Sequence, residues 1–342
     1  MKETINLKRI DKKPVNKINI RNVYIHVTRS CNLSCSYCYF HAGKAMSEEL
    51  STVEMQRLLT DLVFLSPQKI IITGGEPLMR QDIFELIGRF SRIPGRKKIH
   101  LCLMSNGILI DNEAALKIAS LFDEVRISVD GPPDVNNRLR GDGSFKGAIK
   151  AIVNLKNAGA SPGVSITVTS INLPGLGDFL SYLMDELLIT NFHLSMVKPF
   201  GASLNHPEFY CSIDEAAEVI GDFRESRFGK SGLYEKRSRP VLQGSWNCGL
   251  GNHINILPDG NVYPCHILSI PEFFLGNIRK EEICKIVLGS GKLAYLRSID
   301  FSELIEADNH LRDILKKGTC FGEVYLKEPG LLKNINFNMP CI

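Results

Sequence analysis

Three cysteines lie within eight residues of the chain, in the segment Cys31-Asn-Leu-Ser-Cys35-Ser-Tyr-Cys38. Clustered thiols in a reducing compartment indicate a metal site before any other role. Structural zinc usually takes paired C-x2-C units and two further ligands, whereas here one loop carries all three thiols and His41 is the only nearby fourth candidate. Three protein ligands on a four-iron cluster leave one iron atom open, as a catalytic metal requires. The segment therefore predicts a catalytic iron–sulfur site, with zinc as the alternative.

A second set of cysteines lies in the last third of the chain and flanks a predicted β-hairpin. The hairpin has strand candidates on either side of the turn Pro258-Asp259-Gly260. Cys248 and Cys265 flank it, and a metal site here is open to iron–sulfur or structural zinc. The candidates for a further ligand in the same region are Cys284, Cys320, Cys341, His253 and His266. The apolar register around Cys284 favours a core position, and surface positions are expected for the two histidines. Cys102 alternates within a strand candidate and is expected to be a buried hydrophobe.

The thiols need a scaffold, and residues 20–198 alternate β-rich runs with amphipathic stretches. The strand candidates are Val23–Thr28, Lys69–Thr73, Lys98–Ser105, Glu124–Asp130, Gly163–Thr169 and Asn191–Val197. The helix candidates are Met46–Leu65 with Ser47 as N-cap, Asp82–Ser91, Asn112–Leu121, Ser144–Ala158 and Gly177–Leu188. Six βα units in series predict a parallel sheet whose ligand site lies at the carboxyl ends of its strands. The three thiols follow the first strand directly and therefore belong to that edge.

The pattern C-x3-C-x-aromatic-C, with Tyr37 as the aromatic residue, resembles the signature of the radical S-adenosylmethionine (SAM) superfamily. The resemblance implies the α/β class, as a partial (β/α)6 TIM-like barrel of radical SAM type. It also implies that Cys31, Cys35 and Cys38 hold a [4Fe–4S] cluster whose free iron binds SAM. One electron would then split SAM into methionine and a 5′-deoxyadenosyl radical that abstracts hydrogen from a substrate.

Two further motifs resemble the family's SAM-binding segments. Thr73-Gly74-Gly75-Glu76-Pro77 is similar to the GGEP motif, which makes Gly74 and Gly75 SAM-site candidates and Glu76 the candidate partner of the SAM ammonium group. The family commonly places a polar side chain near the SAM ribose after the third strand, and Ser105 fits that position. A strand-end turn is an equal interpretation for Asn106 and Gly107.

The segment Ser128-Val-Asp130-Gly131-Pro132, followed by Arg140, resembles a stretch of family members that carry an extra iron–sulfur domain. In those members an arginine pairs with the SAM carboxylate, so Asp130 and Arg140 join Tyr37 as SAM-binding candidates. A solvated surface charge is the other interpretation of Arg140. The chain has Asn136-Asn137 where the family stretch often has His-Asp, so no role is transferred to that pair.

The hairpin segment Gly260-Asn-Val-Tyr-Pro-Cys265, followed by Leu275-Gly-Asn-Ile278, resembles the SPASM/twitch extensions that hold auxiliary iron–sulfur clusters. The dense terminal C-x2-C group of the full SPASM pattern is missing. The resemblance therefore implies one auxiliary [4Fe–4S] cluster in a small C-terminal domain, with the candidate ligands Cys248, Cys265, Cys320 and Cys341. Cys211 and Cys341 are also candidates for a thiol that returns a hydrogen atom to a substrate radical.

Composition bounds the remaining possibilities for the 342-residue chain. A balance of 41 basic against 37 acidic residues, or +4, predicts no nucleic-acid partner, and no apolar run predicts a membrane span. The Lys-rich start without an apolar core segment is not a secretory signal, so a cytoplasmic location is expected. We expect an N-terminal extension (1–19), a radical SAM core (20–200), a bridging segment (201–245) and an auxiliary-cluster domain (246–342).

The expected function is that of an enzyme which abstracts hydrogen from a peptide or peptide-like substrate. The mixed-charge segment Phe228–Pro240 and the acidic stretch Glu303–Asp313 could line an elongated groove, which favours the peptide. A small-molecule substrate such as a sugar, aminocyclitol or nucleoside, undergoing dehydrogenation, decarboxylation or epimerisation, is the alternative. A non-catalytic metal-binding scaffold is the second alternative. The enzyme would require an external reductant such as flavodoxin or ferredoxin.

Overall fold

The structure is a computed structural model that describes residues 19–228, 249–298, 320, 322 and 325. Its strands are β1 (Asn22–His26), β2 (Lys69–Thr73), β3 (His100–Ser105), β4 (Glu124–Ser128), β5 (Gly163–Val168), β6 (Phe192–Met196), β7 (His253–Ile256), β8 (Asn261–Tyr263) and β9 (Gly276–Asn277). Its helices are α1 (Thr52–Leu65), α2 (Ile83–Ser91), α3 (Asn112–Leu121), α4 (Pro133–Arg140), α5 (Ser144–Asn157), α6 (Leu176–Asp185), α7 (Ile213–Phe228), α8 (Ile283–Leu288) and α9 (Gly291–Ser298).

One sheet organises these elements, in the order β6-β5-β4-β3-β2-β1-β7-β8-β9. The first six strands are parallel neighbours in chain order, as the βα pattern predicts. β6 ends one side of the sheet, so the six units form an open, partial barrel. The carboxyl ends of β1 to β6 consequently meet at one edge, and the loops that follow them surround the site.

The predicted hairpin forms and extends the same sheet. β7 pairs with β1 in parallel, with Asn22 opposite His253, and β8 runs antiparallel to β7. The C-terminal hairpin is therefore hydrogen-bonded to the strand that leads into the three cysteines. The domain boundaries predicted from the sequence stay a prediction.

The core lies between the sheet and its helices. Alternate residues of β1, Val23 and Ile25, are fully buried against them, whereas Tyr24 and His26 take the opposite face. On α1 the buried residues Met55, Leu58, Leu59 and Leu62 recur at the helical spacing.

The first helix begins later than the sequence pattern suggests. The predicted start near residue 46, capped by Ser47, is wrong, since Ser51 is the N-cap and forms a capping box with Glu54. The carboxylate of Glu49 accepts hydrogen bonds from the backbone N–H groups of Met46 (3.0 Å) and Arg29 (2.7 Å), which ties this stretch to the end of β1. Among the described residues, no helix combines the length and the apolar character that a membrane crossing requires.

Candidate functional site

The cysteine loop, which we define as residues 31–41, leaves the sheet at the carboxyl end of β1. An isolated parallel bridge between Ser30 and Gly43 closes its base. There the Cys31 N–H donates to the Gly43 carbonyl (2.8 Å). Within the loop the Cys38 N–H donates to the Cys35 carbonyl (3.1 Å), which forms a tight turn between these two ligand candidates. Backbone hydrogen bonds therefore hold the two ends of the loop together at its base.

The three thiols of the loop are all partly buried and interact electrostatically with one another. Burial raises the pKa of the Cys35 thiol to about 11, although the charge of Arg140 opposes the rise. Burial also raises the pKa of Cys31. Thiols held in this state lose their protons when a cation binds them as thiolates.

The donor set tests the two metal interpretations. Structural zinc is usually held by four protein ligands, whereas the loop supplies three thiols, those of Cys31, Cys35 and Cys38. Three soft thiolate donors suit an iron–sulfur cluster that keeps one iron atom open. The residues of the loop therefore fit a [4Fe–4S] cluster.

The two glycines of the GGEP segment pack against the base of the cysteine loop. The Gly75 N–H donates to the Thr28 carbonyl (2.8 Å), which continues the pairing of β1 and β2 beyond the strands. A Cβ atom on Gly75 would lie 2.2 Å from the Ser30 carbonyl oxygen, and one on Gly74 would lie 2.4 Å from the Thr28 carbonyl oxygen. Glycine is required because backbone approaches backbone here. In this structure the two glycines closely approach the backbone of Thr28 and Ser30, at the base of the cysteine loop.

Glu76 carries a carboxylate that is completely buried at this edge of the sheet. It accepts hydrogen bonds from the Ser105 hydroxyl (2.8 Å) and from the backbone N–H groups of Asn106 (2.8 Å) and Leu78 (3.2 Å). Burial raises its pKa from 4.5 to about 7, and the three donors only partly offset that effect. No cationic side chain of the described residues forms an ion pair with it. A buried carboxylate with donors but no countercharge is suited to a cationic ligand.

Ser105 and Asn106 link the third strand to this carboxylate and to the cysteine loop. The hydroxyl of Ser105 is engaged by Glu76, so Ser105 positions Glu76 in this structure. The side-chain amide of Asn106 donates to the Asn32 side chain (2.8 Å) and lies 4.0 Å from the Cys31 sulfur. The sequence interpretation of Asn106 as a strand-end turn residue missed this contact. Its position at the carboxyl end of a parallel strand was the available signal.

Asp130, Arg140 and Tyr37 form one buried group on the other side of the loop. Arg140 donates to Asp130 through Nε (2.6 Å) and Nη2 (3.0 Å), and the Tyr37 hydroxyl donates to the same carboxylate. Burial raises the pKa of the Tyr37 phenol well above its ordinary value. Arg140 is 8% exposed, which excludes the interpretation as a solvated surface charge. Asn136, one of the two asparagines at which the chain differs from the family stretch, has a structural role. Its side chain accepts a hydrogen bond from the Asp130 N–H (2.8 Å).

The second cysteine region is described in part. Cys265 follows β8 and is partly buried, and its sulfur accepts a hydrogen bond from the Leu268 N–H (3.4 Å). Cys320 is also partly buried. The candidate ligands Cys248 and Cys341 lie outside the described residues, as do residues 229–240 of the mixed-charge segment and the acidic stretch 303–313.

Aromatic side chains bring the cysteine loop close to the hairpin. Tyr39, next to Cys38, and His266, next to Cys265, have ring centroids 5.4 Å apart. His266 is half-buried, which lowers its pKa to about 4, so the solvated surface position predicted for it is wrong. The physical reason is tertiary packing, because the His266 ring lies beside Tyr24 of β1, with centroids 6.1 Å apart, and Tyr39 of the cysteine loop contacts it as well.

Three cysteines lie away from both groups of candidate ligands. Cys102 is fully buried in β3, and Cys284 packs against the core with its thiol directed to the Asp61 carbonyl (3.5 Å), as the sequence predicts for both. Cys211, a candidate hydrogen-atom donor, is partly buried against the core just before α7. Its burial raises the pKa of the thiol.

Comparison with known proteins places the site in a family context. Residues 25–179 match the family model described as the Radical SAM superfamily, and residues 248–312 match SPASM, described as an iron–sulfur cluster-binding domain. The first range contains every site residue from the cysteine loop to Arg140, and the second contains Cys248 and Cys265. A match to SPASM implies an auxiliary iron–sulfur cluster.

Individual relatives agree with the two domains. The chain is 31% identical to the mycofactocin maturase MftC of Mycobacterium ulcerans over 271 residues, which cover 74% of this chain and 70% of the relative. It is 34% identical to the AdoMet-dependent heme synthase of Oleidesulfovibrio alaskensis over 206 residues, 59% of this chain and 52% of the relative. The chain thus spans 70% and 52% of the lengths of these two curated relatives.

A solved structure shares the fold. The Streptococcus suis protein SuiB, determined bound to the precursor peptide SuiA, superposes with a TM-score of 0.70. The similarity covers 90% of this chain and 73% of SuiB at 15% sequence identity.

Proposed function

Because the chain belongs to the radical SAM superfamily, we propose that it cleaves SAM reductively and abstracts a hydrogen atom from a peptide or peptide-like substrate. The observation that carries the proposal is the pairing of two features at one sheet edge. Three thiols share the loop after β1, and the buried carboxylate of Glu76 beside them has no countercharge among the described residues.

Cys31, Cys35 and Cys38 would hold the [4Fe–4S] cluster, which supplies an open iron position and the electron that cleaves SAM. Glu76 provides the negative charge for the SAM ammonium group, and its three hydrogen-bond donors hold the carboxylate in place before the ligand arrives. Burial excludes water from this carboxylate, which strengthens its attraction for a cation. Asn106 orients the cysteine loop through Asn32.

The second cysteine region would hold the auxiliary cluster, with Cys265 and Cys248 as its first candidate ligands and Cys320 and Cys341 as the further ones. The contact between Tyr39 and His266 joins the neighbour of Cys38 to the neighbour of Cys265. An external one-electron donor of the flavodoxin or ferredoxin kind would act as the partner, in the cytoplasm.

The similarity to a maturase supports a peptide substrate, as does the fold shared with a protein that was determined with a precursor peptide. A tetrapyrrole is the second candidate, since the 34% identity to the heme synthase is the higher of the two sequence similarities. Incubation with SAM and reductant, first with short peptides encoded beside the gene and then with Fe-coproporphyrin III, distinguishes the two substrates by the mass change of each compound.

Formation of 5′-deoxyadenosine tests the proposal itself. Protein reconstituted with iron and sulfide without oxygen, then reduced with dithionite, should convert SAM to 5′-deoxyadenosine, which chromatography with mass detection quantifies. Cys35→Ala should reduce the product to background, whereas the control Cys284→Ala, on α8, should retain it. Iron-loaded wild-type protein that yields no 5′-deoxyadenosine would contradict the proposal.

A further inference from the structure

The carboxylate of Asp130 collects hydrogen bonds from three separate parts of the chain. Its Oδ2 atom accepts from the Tyr37 hydroxyl and from Nε of Arg140 (2.6 Å). Its Oδ1 atom accepts from Nη2 of Arg140 (3.0 Å) and from the Thr167 backbone N–H (2.8 Å). An ionised carboxylate has about four acceptor positions. All of them are filled, so Asp130 has no acceptor left for a hydroxyl or amino group of SAM.

Asp130 is itself held in place by the backbone. Its N–H donates to the Asn136 side chain (2.8 Å), and its carbonyl accepts from the Asn172 side chain (2.8 Å). The residue is fully buried just beyond the end of β4. A carboxylate fixed in this way can impose a geometry on the groups that bind it.

One of those groups belongs to the cysteine loop. Tyr37 lies between Cys35 and Cys38, so the position of its ring affects the direction of both thiols. The last turn of α4 holds the same stretch a second time, because the Leu139 carbonyl accepts from the Ser36 N–H (3.0 Å) and the Ser36 hydroxyl (3.1 Å). The loop is therefore braced against α4 and β4 before any metal binds.

The other group is the guanidinium of Arg140. Asp130 occupies the edge formed by Nε and Nη2, and the guanidinium carbon lies 5.5 Å from the centroid of the Tyr37 ring. The edge that contains Nη1 faces away from Asp130. Because the guanidinium is planar, a carboxylate on one edge determines the direction in which the remaining N–H groups point.

We propose that Asp130 is a positioning residue that orients the cysteine loop through Tyr37 and directs Arg140 toward the carboxylate of SAM, without contacting SAM itself. The inference rests on the proposed function, which assigns the cysteine loop to the cluster, and on the sequence resemblance, which makes Arg140 the candidate partner of the SAM carboxylate. It changes the role of Asp130 from a SAM ligand to a group that acts on two other residues at once.

Asp130→Asn tests the inference, because the amide keeps the shape but presents an N–H2 group to donors and removes the countercharge of Arg140. Two quantities are measured on the full chain after anaerobic reconstitution. The first is the iron bound at the cysteine loop, taken as the difference from a variant with Cys31, Cys35 and Cys38 changed to Ala. The second is the Kd for SAM by calorimetry. We expect less than about half of the wild-type iron and a Kd raised about tenfold or more.

Two further variants separate the two arms of the network. Tyr37→Phe removes only the bond to the loop, so iron retention should fall while the Kd for SAM of the loaded protein stays within about twofold. Arg140→Lys cannot bind Asp130 through two atoms, so the Kd for SAM should rise with iron retention largely unchanged. These variants test the inference even if Asp130→Asn folds poorly.

The pair Arg80–Asp82 supplies a matched control. It has the same two-bond geometry, at 2.7 and 3.0 Å, and Asp82 accepts its further side-chain hydrogen bond from Thr52 of α1. Asp82→Asn should leave iron retention and SAM binding at wild-type levels, and thermal unfolding of both Asn variants reports general destabilisation. Normal iron and normal SAM binding in Asp130→Asn would overturn the inference, as would equal losses in Asp82→Asn. If Asp130→Asn folds poorly, wild-type iron retention and wild-type SAM binding in both Tyr37→Phe and Arg140→Lys would overturn the inference. Wild-type protein that binds neither iron nor SAM would instead refute the proposed function.

Discussion

The buried carboxylate of Glu76 should make the stability of the metal-free protein depend on pH in an unusual direction. Its pKa is about 7 in the folded chain, against 4.5 for an exposed glutamate. Folding therefore favours the protonated form, and the folded state binds more protons than the unfolded state between these two values. The contribution of Glu76 to the unfolding free energy is accordingly unfavourable at high pH and disappears as the pH falls below 4.5.

The size of the effect follows from the two pKa values. A difference from 4.5 to about 7, at ~1.36 kcal/mol per pH unit, corresponds to a full penalty of ~3 kcal/mol above pH 7. About 2.5 kcal/mol of it develops between pH 5 and pH 8. Glu76→Gln removes the titration, although its amide must face one of the three donors and adds an offset that does not depend on pH.

Urea unfolding of the metal-free wild-type and Glu76→Gln proteins at several pH values measures the difference between them. The free energy of unfolding of the wild type, relative to the variant, should fall by ~2.5 kcal/mol from pH 5 to pH 8. Parallel profiles for the two proteins would refute the reasoning, because they would show that Glu76 ionises normally in the folded chain.

SAM binding should reverse the effect, since an ammonium group supplies the missing countercharge and lowers the pKa of Glu76. At pH 6.5 about 0.7 proton should then be released for each SAM bound to the cluster-loaded protein, as expected for a group with a pKa of about 7. Calorimetry in buffers of different ionisation enthalpy counts these protons. The release should be absent in Glu76→Gln, and an equal release in that variant would place the titrating group elsewhere.

Three further outcomes are expected. Gly75→Ala should lower both iron retention at the cysteine loop and the midpoint of thermal unfolding, because the added Cβ atom would lie 2.2 Å from the Ser30 carbonyl oxygen. A Cβ atom on Gly88 would have no atom within 4 Å, so the control Gly88→Ala should keep the wild-type iron retention and unfolding midpoint. Cys265→Ala should lower the iron content per chain while 5′-deoxyadenosine is still formed without substrate, and unchanged iron would exclude Cys265 as a ligand. Burial lowers the pKa of His26 from 6.5 to about 3, so the unfolded state binds the extra proton and stability is lost as the pH falls through this window. Wild-type protein should therefore lose ~2 kcal/mol more than His26→Phe between pH 7 and pH 5 in urea unfolding, and equal losses would contradict a neutral buried His26.

The sequence predicted helices and strands correctly where the local pattern is strong. The second strand, Lys69–Thr73, has the predicted bounds, because an uninterrupted β-branched run between turn residues has few alternatives. The start of α1 was misplaced because Ser47 and Ser51 are equally good caps by composition. The carboxylate of Glu54, three residues after Ser51, decides between them through the capping box.

The sequence predicted the types of the site residues better than it predicted which of them contact one another. The three thiols were identified from their spacing and Glu76 from the resemblance to the GGEP motif, and the structure places them at one edge of the sheet. The contact of Asn106 with the cysteine loop was missed, since nothing in the local sequence distinguishes an amide that caps a turn from one that reaches another strand. The partial burial of His266 was also missed, because it depends on contacts with Tyr24 and Tyr39, which are distant in the chain.

The amino-acid sequence alone determined that three thiols share a short loop after a strand, and that a glycine pair and a carboxylate follow the next strand. Such features depend on neighbours along the chain, whose separation the backbone geometry limits to a few ångströms per residue. The tertiary structure decided which donors surround each charge. Tyr37 and Asp130 are 93 positions apart, and Glu76 and Ser105 are 29 apart, yet each pair is hydrogen-bonded. Parallel strands bring such distant residues to one edge, and the burial there makes Glu76 a weak acid and leaves Asp130 with no free acceptor.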